Sequence, residues 1–106
     1  MEVVGPVEIQ RGDVLLVNLD PTPRPCVVIS PNELNDNLST CIVAPMTTGG
    51  HTFPFRVGCR FKGKSGHIVL DQLRTIDRDR VVRLLGRVPE ATLGSTLSVL
   101  QEMFSP

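Results

Sequence analysis

The stretch "DVLLVNLDPTPRPCVVIS" (residues 13–30) contains two short apolar runs joined by a proline-rich turn. Both runs are rich in valine and leucine and have the length of single strands, so we predict two strands with a tight connection. In that connection Pro23 and Pro25 flank Arg24, and a proline pushes the residue before it into an extended conformation. Arg24 is therefore predicted to be held extended where the second strand begins. A cation fixed in this way is useful opposite an anion, either a carboxylate of the chain or an external phosphate.

Four more short apolar runs follow, separated by turn-forming residues. The glycines of "TTGGHT" and "FKGKSGH" suit short hairpin connections. Short strands at this spacing predict a mainly β protein built as a small, strongly bent barrel rather than an open α/β sheet. The six predicted strands are 13–19, 26–30, 40–46, 53–57, 67–73 and 81–88.

Two segments have the features of helices. After the second strand, "SPNELN" places Ser30 as an N-cap and Glu33 three residues later, which predicts a capping box and a helix of one or two turns. The second segment, 89–104, predicts a C-terminal helix that covers one mouth of the barrel, although Gly94 could delay its start. Its apolar stripe consists of Leu93, Leu97, Leu100 and Phe104.

The composition is that of one ordinary globular domain, predicted to span 1–106. The chain has 106 residues, of which 41% are hydrophobic and 21% charged. It contains no apolar run of the roughly 20 residues that a membrane helix needs, so we expect a cytoplasmic protein. Its cysteines are odd in number and lack metal-site spacing, which favours reduced, mostly buried thiols. We predict neither a metal site nor a cofactor.

The net charge is zero, but the charges are unevenly distributed. Residues 1–40 hold six acidic and two basic residues, whereas 41–70 hold four basic residues and no acidic one. Such a segment suggests a positive face that attracts polyanions, or else a solvated loop that happens to be basic. The four basic residues are Arg56, Arg60, Lys62 and Lys64.

Polar residues interrupt the apolar pattern at three predicted strand ends. These are Arg24, the pair Thr47 and Thr48, and "DQLRT" at 71–75. Each also has a structural interpretation, because threonines before Gly-Gly often form turns and Asp71 could pair with Arg74 or cap a turn. Strand ends can converge on one rim of a barrel. Together, a guanidinium, a hydroxyl, a carboxylate and an amide would suit a phosphodiester, because arginine can stabilise the charge of a phosphorane-like transition state.

Several common catalytic patterns are absent from the sequence. There is no P-loop, HExxH motif, dinucleotide fingerprint or GxSxG elbow, and no carboxylate cluster suited to two Mg²⁺ ions. The chain has four phenylalanines and no other aromatic residue. Base stacking is therefore restricted to Phe53, Phe55 or Phe61.

Five segments, in order along nearly the whole chain, resemble the MazF/PemK/Kid family of toxin endoribonucleases. The resemblance implies an SH3-like barrel of the CcdB/MazF type, a homodimer, and a cognate antitoxin with an acidic, disordered tail. It also implies metal-independent cleavage of single-stranded RNA, in which the ribose 2′-OH attacks its own 3′-phosphate to leave a 2′,3′-cyclic phosphate and a 5′-OH. The segments are "RGDVLLVNLDPT" (11–22), "RPCVVISP" (24–31), "IVAPMTTGG" (42–50), "DQLRTID" (71–77) and "GRVPEATLGSTLSVL" (86–100).

The family's functional positions fall on specific residues of this chain. The resemblance implies that Arg24, Thr47 and Asp71 are catalytic, with Asp71 and Gln72 associated with catalysis or RNA contact. The residues predicted to bind RNA are Thr48, Gln72, Arg56, Arg60 and Lys62.

The chain also departs from the family pattern. Only Pro23 separates Thr22 from Arg24, whereas most members carry a longer loop at this position. In some members that loop supplies an acid/base histidine. In addition, Val69 stands where Kid-type members have an arginine. His51 could take the acid/base role, although a loop histidine is usually only exposed. Two alternatives follow. The chain could be a barrel that binds antitoxin or nucleic acid without cleaving RNA, or a barrel that binds duplex DNA. We expect contact with DNA only through the antitoxin complex.

Overall fold

A computed structural model describes residues 8–50 and 52–106. It confirms a mainly β architecture with a short helix after the second strand and a C-terminal helix. The elements are β1 (Asp13–Asn18), β2 (Pro23–Val28), α1 (Asn32–Asn37), β3 (Thr40–Thr48), β4 (Arg56–Phe61), β5 (Lys64–Val69), a 3-10 helix (Leu70–Gln72), β6 (Arg74–Asp77), a second 3-10 helix (Arg78–Arg80), β7 (Val81–Arg87) and α2 (Glu90–Met103).

The strands form one bent antiparallel sheet. Its order is β4-β5-β3-β2-β1-β7, and β6 also pairs with β3. No ladder joins β4 to β7 in the described part of the chain, so the barrel is open along one seam. Side chains cover that seam: a Cβ on Gly86 of β7 would lie 3.1 Å from Cζ of Phe61 in β4. The absent side chain of Gly86 therefore allows the aromatic ring to pack against β7 across the open seam.

The predicted strand 67–73 is wrong as a continuous element, because a 3-10 helix interrupts it. Both β5 and β6 pair with β3, with Ile68 opposite Met46 and Arg74 opposite Val43. The two pairs are thus three residues apart along β3 but six residues apart along the segment that contains β5 and β6. The three extra residues are the length of the 3-10 helix at Leu70–Gln72. This bulge turns Asp71 and Gln72 outwards, since both are exposed.

The predicted strand 53–57 is also largely wrong. The segment before Arg56 is a turn, since Pro54 cannot donate to a ladder and Phe55 has a φ of 65°. The strand β4 instead runs from Arg56 to Phe61 and turns through Lys62 and Gly63. Both turn residues have positive φ, 51° and 79°, as a two-residue hairpin of type I′ requires.

Apolar side chains are buried on both faces of the sheet. One face carries the first core, and the other face carries the second core, which α2 covers with Leu97, Val99, Leu100 and Met103. The first core consists of Ile9, Leu15, Val17, Leu19, Cys26, Val28, Cys41, Val43 and Ile76. The second core consists of Val14, Val27, Ile29, Ala44, Val57, Ile68, Leu70, Val88 and Leu93.

The helices only partly follow the predictions. The capping box is wrong: α1 begins at Asn32 with Pro31 at the N-cap and no side-chain cap. The Ser30 hydroxyl instead donates to Asn35 Oδ1 at 2.5 Å and accepts from a backbone N–H of β3. The C-terminal helix is confirmed, and Gly94 does not delay its start. However, Phe104 lies beyond the helix and is 70% exposed, so it does not extend the buried stripe.

The remaining expectations concern membranes, metals and thiols. Neither described helix is both long and apolar enough to cross a membrane. Within residues 8–50 and 52–106, no three His, Cys, Asp or Glu side chains form a group that could hold a metal ion. Cys26 and Cys41 are buried free thiols and Cys59 is half-buried, as predicted.

Candidate active site

Three neighbouring strands carry Arg24, Thr47 and His67 in one cross-strand row. Thr47 of β3 lies directly opposite His67 of β5. On the other edge of β3, Cys26 of β2 lies opposite Pro45, and continuing that register by two residues brings Arg24 level with Thr47. Level residues on antiparallel strands share a face, with Cβ atoms about 4.5–5.5 Å apart. Arg24, Thr47 and His67 therefore project from one face of the sheet, which we call the Thr47 face.

Prolines end the β2–β3 ladder just before this row. The registered pairs stop at Pro45, and neither Pro45 nor Pro25 has an N–H to donate. Arg24 fills the gap, because its Nη2 donates to the backbone carbonyl of Met46 at 3.3 Å. The guanidinium of Arg24 is thus held half-buried beside the residue that precedes Thr47. The sequence prediction that the prolines hold Arg24 extended agrees with its place inside β2.

A cavity of about 290 Å³ lies beside the row, and both Arg24 and Arg74 line it. Its only lining carboxylate is that of Asp20, which accepts from Arg80 at 3.3 Å. Among the described residues, the side chain of Arg74 has neither a hydrogen bond nor a salt bridge, so the guanidiniums of Arg24 and Arg74 both line the cavity without a carboxylate partner. The other lining residues are Leu19, Pro21, Thr22, Pro45 and Gln72.

The thiol of Cys26 lies close to these two cations. Burial raises the pKa of Cys26 to about 12, and the positive charges of Arg24 and Arg74 oppose that rise. The thiol therefore stays protonated near neutral pH and does not act as a nucleophile.

Asp71 lies at the bulge between β5 and β6 and pairs with Arg56, not with Arg74. Its two carboxylate oxygens accept from Nε and Nη2 of Arg56 at 3.0 and 3.2 Å. The hydrogen bonds from Arg56 lower the pKa of the Asp71 carboxyl. Arg56 also lies over the ring of Phe53, 4.8 Å from its centroid. The alternative that Asp71 pairs with Arg74 is therefore wrong, and the carboxylate ties the start of β4 to the bulge.

The basic residues of 41–70 do not all lie on one face. Strand alternation places Arg56 and Arg60 on the Thr47 face, because Val57 and Phe61 of the same strand pack against the second core. Lys62 lies in the hairpin turn, with Nζ 5.7 Å from the centroid of its neighbouring phenyl ring. The predicted positive face thus contains two of the four cations.

Thr48 faces the opposite side from Thr47, because successive side chains of a strand alternate. Both residues nevertheless line a groove of about 120 Å³, since the backbone of β3 forms its edge. Cys59 and Phe61 form the apolar side of that groove, and Lys64 lies at its rim. This arrangement gives Thr48 a place beside an aromatic ring rather than beside Arg24.

Sequence reasoning missed two residues near the site. From the sequence, Arg74 is weighed only as a partner of Asp71, and His67 is not among the predicted site residues. The position of His67 opposite Thr47 depends on strand pairing, which the sequence does not show. The alternation of side chains along β5 is visible in the sequence, and it places His67 on the face opposite the buried Ile68. His51, the candidate acid/base residue from the sequence, lies outside the described residues.

Comparisons with known proteins agree with this fold. The family model for PemK-like, MazF-like toxins of type II toxin–antitoxin systems matches residues 10–104. The endoribonuclease PemK of Escherichia coli is 32% identical over 111 residues, which cover 92% of this chain and 84% of that protein. A MazE–MazF crystal structure from Deinococcus radiodurans has a TM-score of 0.81 at 24% identity, covering 93% of this chain and 97% of that chain.

An endoribonuclease from a Mycobacterial species, solved in complex with its cognate antitoxin, also has a TM-score of 0.81 at 24% identity. That match covers 89% of this chain and 92% of the other. At this identity the two structural matches establish the fold, and the family model and the PemK relative establish the kinship. The resemblance noted in the sequence is therefore confirmed, and the chain belongs to the PemK-like, MazF-like toxins of type II toxin–antitoxin systems, a family of endoribonucleases.

Proposed function

We propose that this chain is the toxin of a type II toxin–antitoxin pair and cleaves single-stranded RNA at short specific sequences without a metal ion. The ribose 2′-OH attacks its own 3′-phosphate, which leaves a 2′,3′-cyclic phosphate and a 5′-OH. The single observation that carries this proposal is the position of Arg24 level with Thr47 on adjoining strands. A cation and a hydroxyl donor at that spacing can contact one phosphate group together.

Each polar residue of the site has a role in this proposal. Arg24 stabilises the negative charge that develops on the phosphate oxygens, and Thr47 donates a hydrogen bond to the same group. Asp71 acts by holding the guanidinium of Arg56, because both of its oxygens already accept from that group. Further RNA contacts come from Thr48, Gln72, Arg56, Arg60 and Lys62.

We propose a homodimer as the working unit, with one domain per chain and a cytoplasmic location. Its partner is an antitoxin with an acidic, disordered tail, which fits the cations Arg24, Arg60 and Arg74 by charge complementarity. Contact with DNA occurs only through the toxin–antitoxin complex. The MazE–MazF structure similar to this fold is consistent with such a pair.

The test is to incubate the purified protein with a long single-stranded RNA in EDTA and to map the ends. Cyclic-phosphate ends that disappear in Arg24→Ala support the proposal. Loss of cleavage on chelation would contradict the metal-free mechanism. Intact RNA, with antitoxin binding retained, would instead support the alternative that the chain is an inactive binding module, which the one-residue connection between Thr22 and Arg24 favours.

A further inference from the structure

His67 has the position and the hydrogen bond that a catalytic base needs. It lies directly opposite Thr47 in the β3–β5 register, on the same face as Arg24. The strands are about 4.8 Å apart, so the imidazole is one strand spacing from the threonine hydroxyl. A phosphate held between Arg24 and Thr47 would thus bring an adjoining ribose close to His67.

A backbone carbonyl fixes the tautomer of this histidine. Nδ1 of His67 lies 3.0 Å from the carbonyl oxygen of Gly49. A carbonyl only accepts hydrogen bonds, so Nδ1 carries the proton in this contact and donates it. In the neutral ring the lone pair then lies on Nε2, which is the arrangement of a histidine prepared to accept a proton.

The space next to the imidazole is open. Gly58 of β4 lies opposite His67 on the other edge of β5, and a Cβ added to Gly58 would meet no atom within 4 Å. His67 is itself only half-buried. A ribose could therefore reach this point of the Thr47 face without displacing a side chain of β4.

We propose that His67 is the general base of the RNA cleavage reaction; this inference rests on the proposed function. Nε2 of His67 accepts the proton of the ribose 2′-OH as the 2′-oxygen forms its bond to phosphorus. The bond from phosphorus to the 5′-oxygen breaks, and that oxygen takes a proton from solvent. The imidazolium then returns its proton to water, so the enzyme is regenerated and the charges balance.

Other ionisable groups around His67 do not offer the same chemistry. On the same face, β4 contributes the cations Arg56 and Arg60 and β2 contributes Arg24, whereas β3 contributes no ionisable group beside Thr47. The nearby carboxylate, Asp71, has its pKa lowered by hydrogen bonds from Arg56. Asp71 is therefore held in its ionised form by Arg56, and both of its oxygens are already engaged by that guanidinium.

The main test compares His67→Gln with the wild type and with His51→Gln. Glutamine can keep a donor for Gly49 but has no basic nitrogen. We expect His67→Gln to lower kcat by about 10²–10⁴-fold, with KM and the thermal midpoint nearly unchanged. A loss of that size in His51→Gln, with His67→Gln unaffected, would overturn the assignment. A pH–rate profile gives a second readout, because the limb that reports the base in the wild type should be absent in His67→Gln.

Two further measurements separate a base from a structural residue. Added imidazole should restore part of the rate of His67→Ala. The second measurement uses an RNA in which sulfur replaces the scissile 5′-oxygen. A thiolate leaves without being protonated, so this substrate restores the rate only of a variant that lacks its general acid. It should therefore not rescue His67→Gln. Rescue by that substrate would overturn the assignment as a base, and so would a His67→Gln rate within threefold of wild type.

The outcomes also distinguish this inference from the proposed function. If the wild type and His67→Gln both cleave RNA to cyclic-phosphate ends at rates within threefold of each other, the proposed function stands and the base assignment fails. If the wild type binds a cleavage-resistant RNA carrying 2′-deoxyribose at the scissile site but never cleaves the ribose form, both fail. The 15N spectrum of His67 gives an independent check, because a proton on Nε2 rather than Nδ1 in the neutral form would contradict the fixed tautomer.

Discussion

Replacing Gly66 with alanine tests whether the spacing of β3 and β5 sets the geometry of the site. Gly66 lies opposite Thr48, and a Cβ added there would overlap the carbonyl oxygen of Thr47 and lie 2.9 Å from its carbonyl carbon. Non-bonded carbon atoms rest about 3.5–4.0 Å apart, so the contact with the carbonyl carbon alone would require the strands to separate by roughly 0.6–1.1 Å, and the overlap with the oxygen requires more. A displacement of about 1 Å at a catalytic group costs on the order of 10²-fold in rate.

We therefore expect Gly66→Ala to lower kcat on single-stranded RNA by about 10²-fold. Because the added Cβ meets backbone rather than a flexible side chain, the cost is at or above the roughly 1–3 kcal/mol typical of overpacking, so the rate is read only from protein shown to be folded. The matched control is Gly94→Ala in α2, where a Cβ would meet no atom within 4 Å; it should keep full activity and gain about 0.5–1 kcal/mol in stability. Initial rates are compared at saturating RNA, at a temperature where circular dichroism shows each variant folded. A folded Gly66→Ala with the wild-type rate would refute the reasoning.

Two further predictions concern charged residues beside the row. Arg74→Ala should weaken binding of a cleavage-resistant RNA and reduce the slope of the logarithm of the binding constant against the logarithm of the salt concentration by about 0.7 per lost phosphate contact. The control, Arg83→Ala on β7, should leave that slope unchanged. Equal slopes for the two variants would show that Arg74 is not part of the RNA site. Asp71→Asn and Arg56→Ala should each lower the cleavage rate by no more than about fivefold, since exposed ion pairs contribute little, and the double variant should be no slower than the slower single one. A loss of 10²-fold or more in Asp71→Asn alone would instead make Asp71 an acid or base.

The sequence predicts individual strands of this protein better than it predicts their pairing. The apolar runs and the prolines around Arg24 are local signals. They place β1 and the extended Arg24 correctly, whereas β2 begins at Pro23, earlier than the predicted 26. That Arg24 comes level with Thr47 depends on the β2–β3 register, which is set by core packing and by the length of the segment containing α1. No local pattern contains that information.

The failures have the same physical origin. The 3-10 helix at Leu70–Gln72 sits inside an apolar run that reads as one strand, and only its register against β3 reveals the bulge. The partner of Asp71 is Arg56, which is 15 residues away in sequence. The local sequence offers only the nearby Arg74 as a partner. Ser30 is an adequate N-cap by sequence, but its hydroxyl is used between Asn35 and β3.

The most direct test of the account is a double-mutant cycle on Arg24 and Thr47, with RNA cleavage measured in EDTA. Residues that act on one phosphate as a unit are strongly non-additive. The account predicts that the wild type produces 2′,3′-cyclic phosphate ends, that Arg24→Ala and Thr47→Ala are each severely slowed, and that the double variant is no slower than the slower single one. Rate losses that multiply in the double variant would contradict it, as would a wild-type protein that binds RNA and leaves it intact.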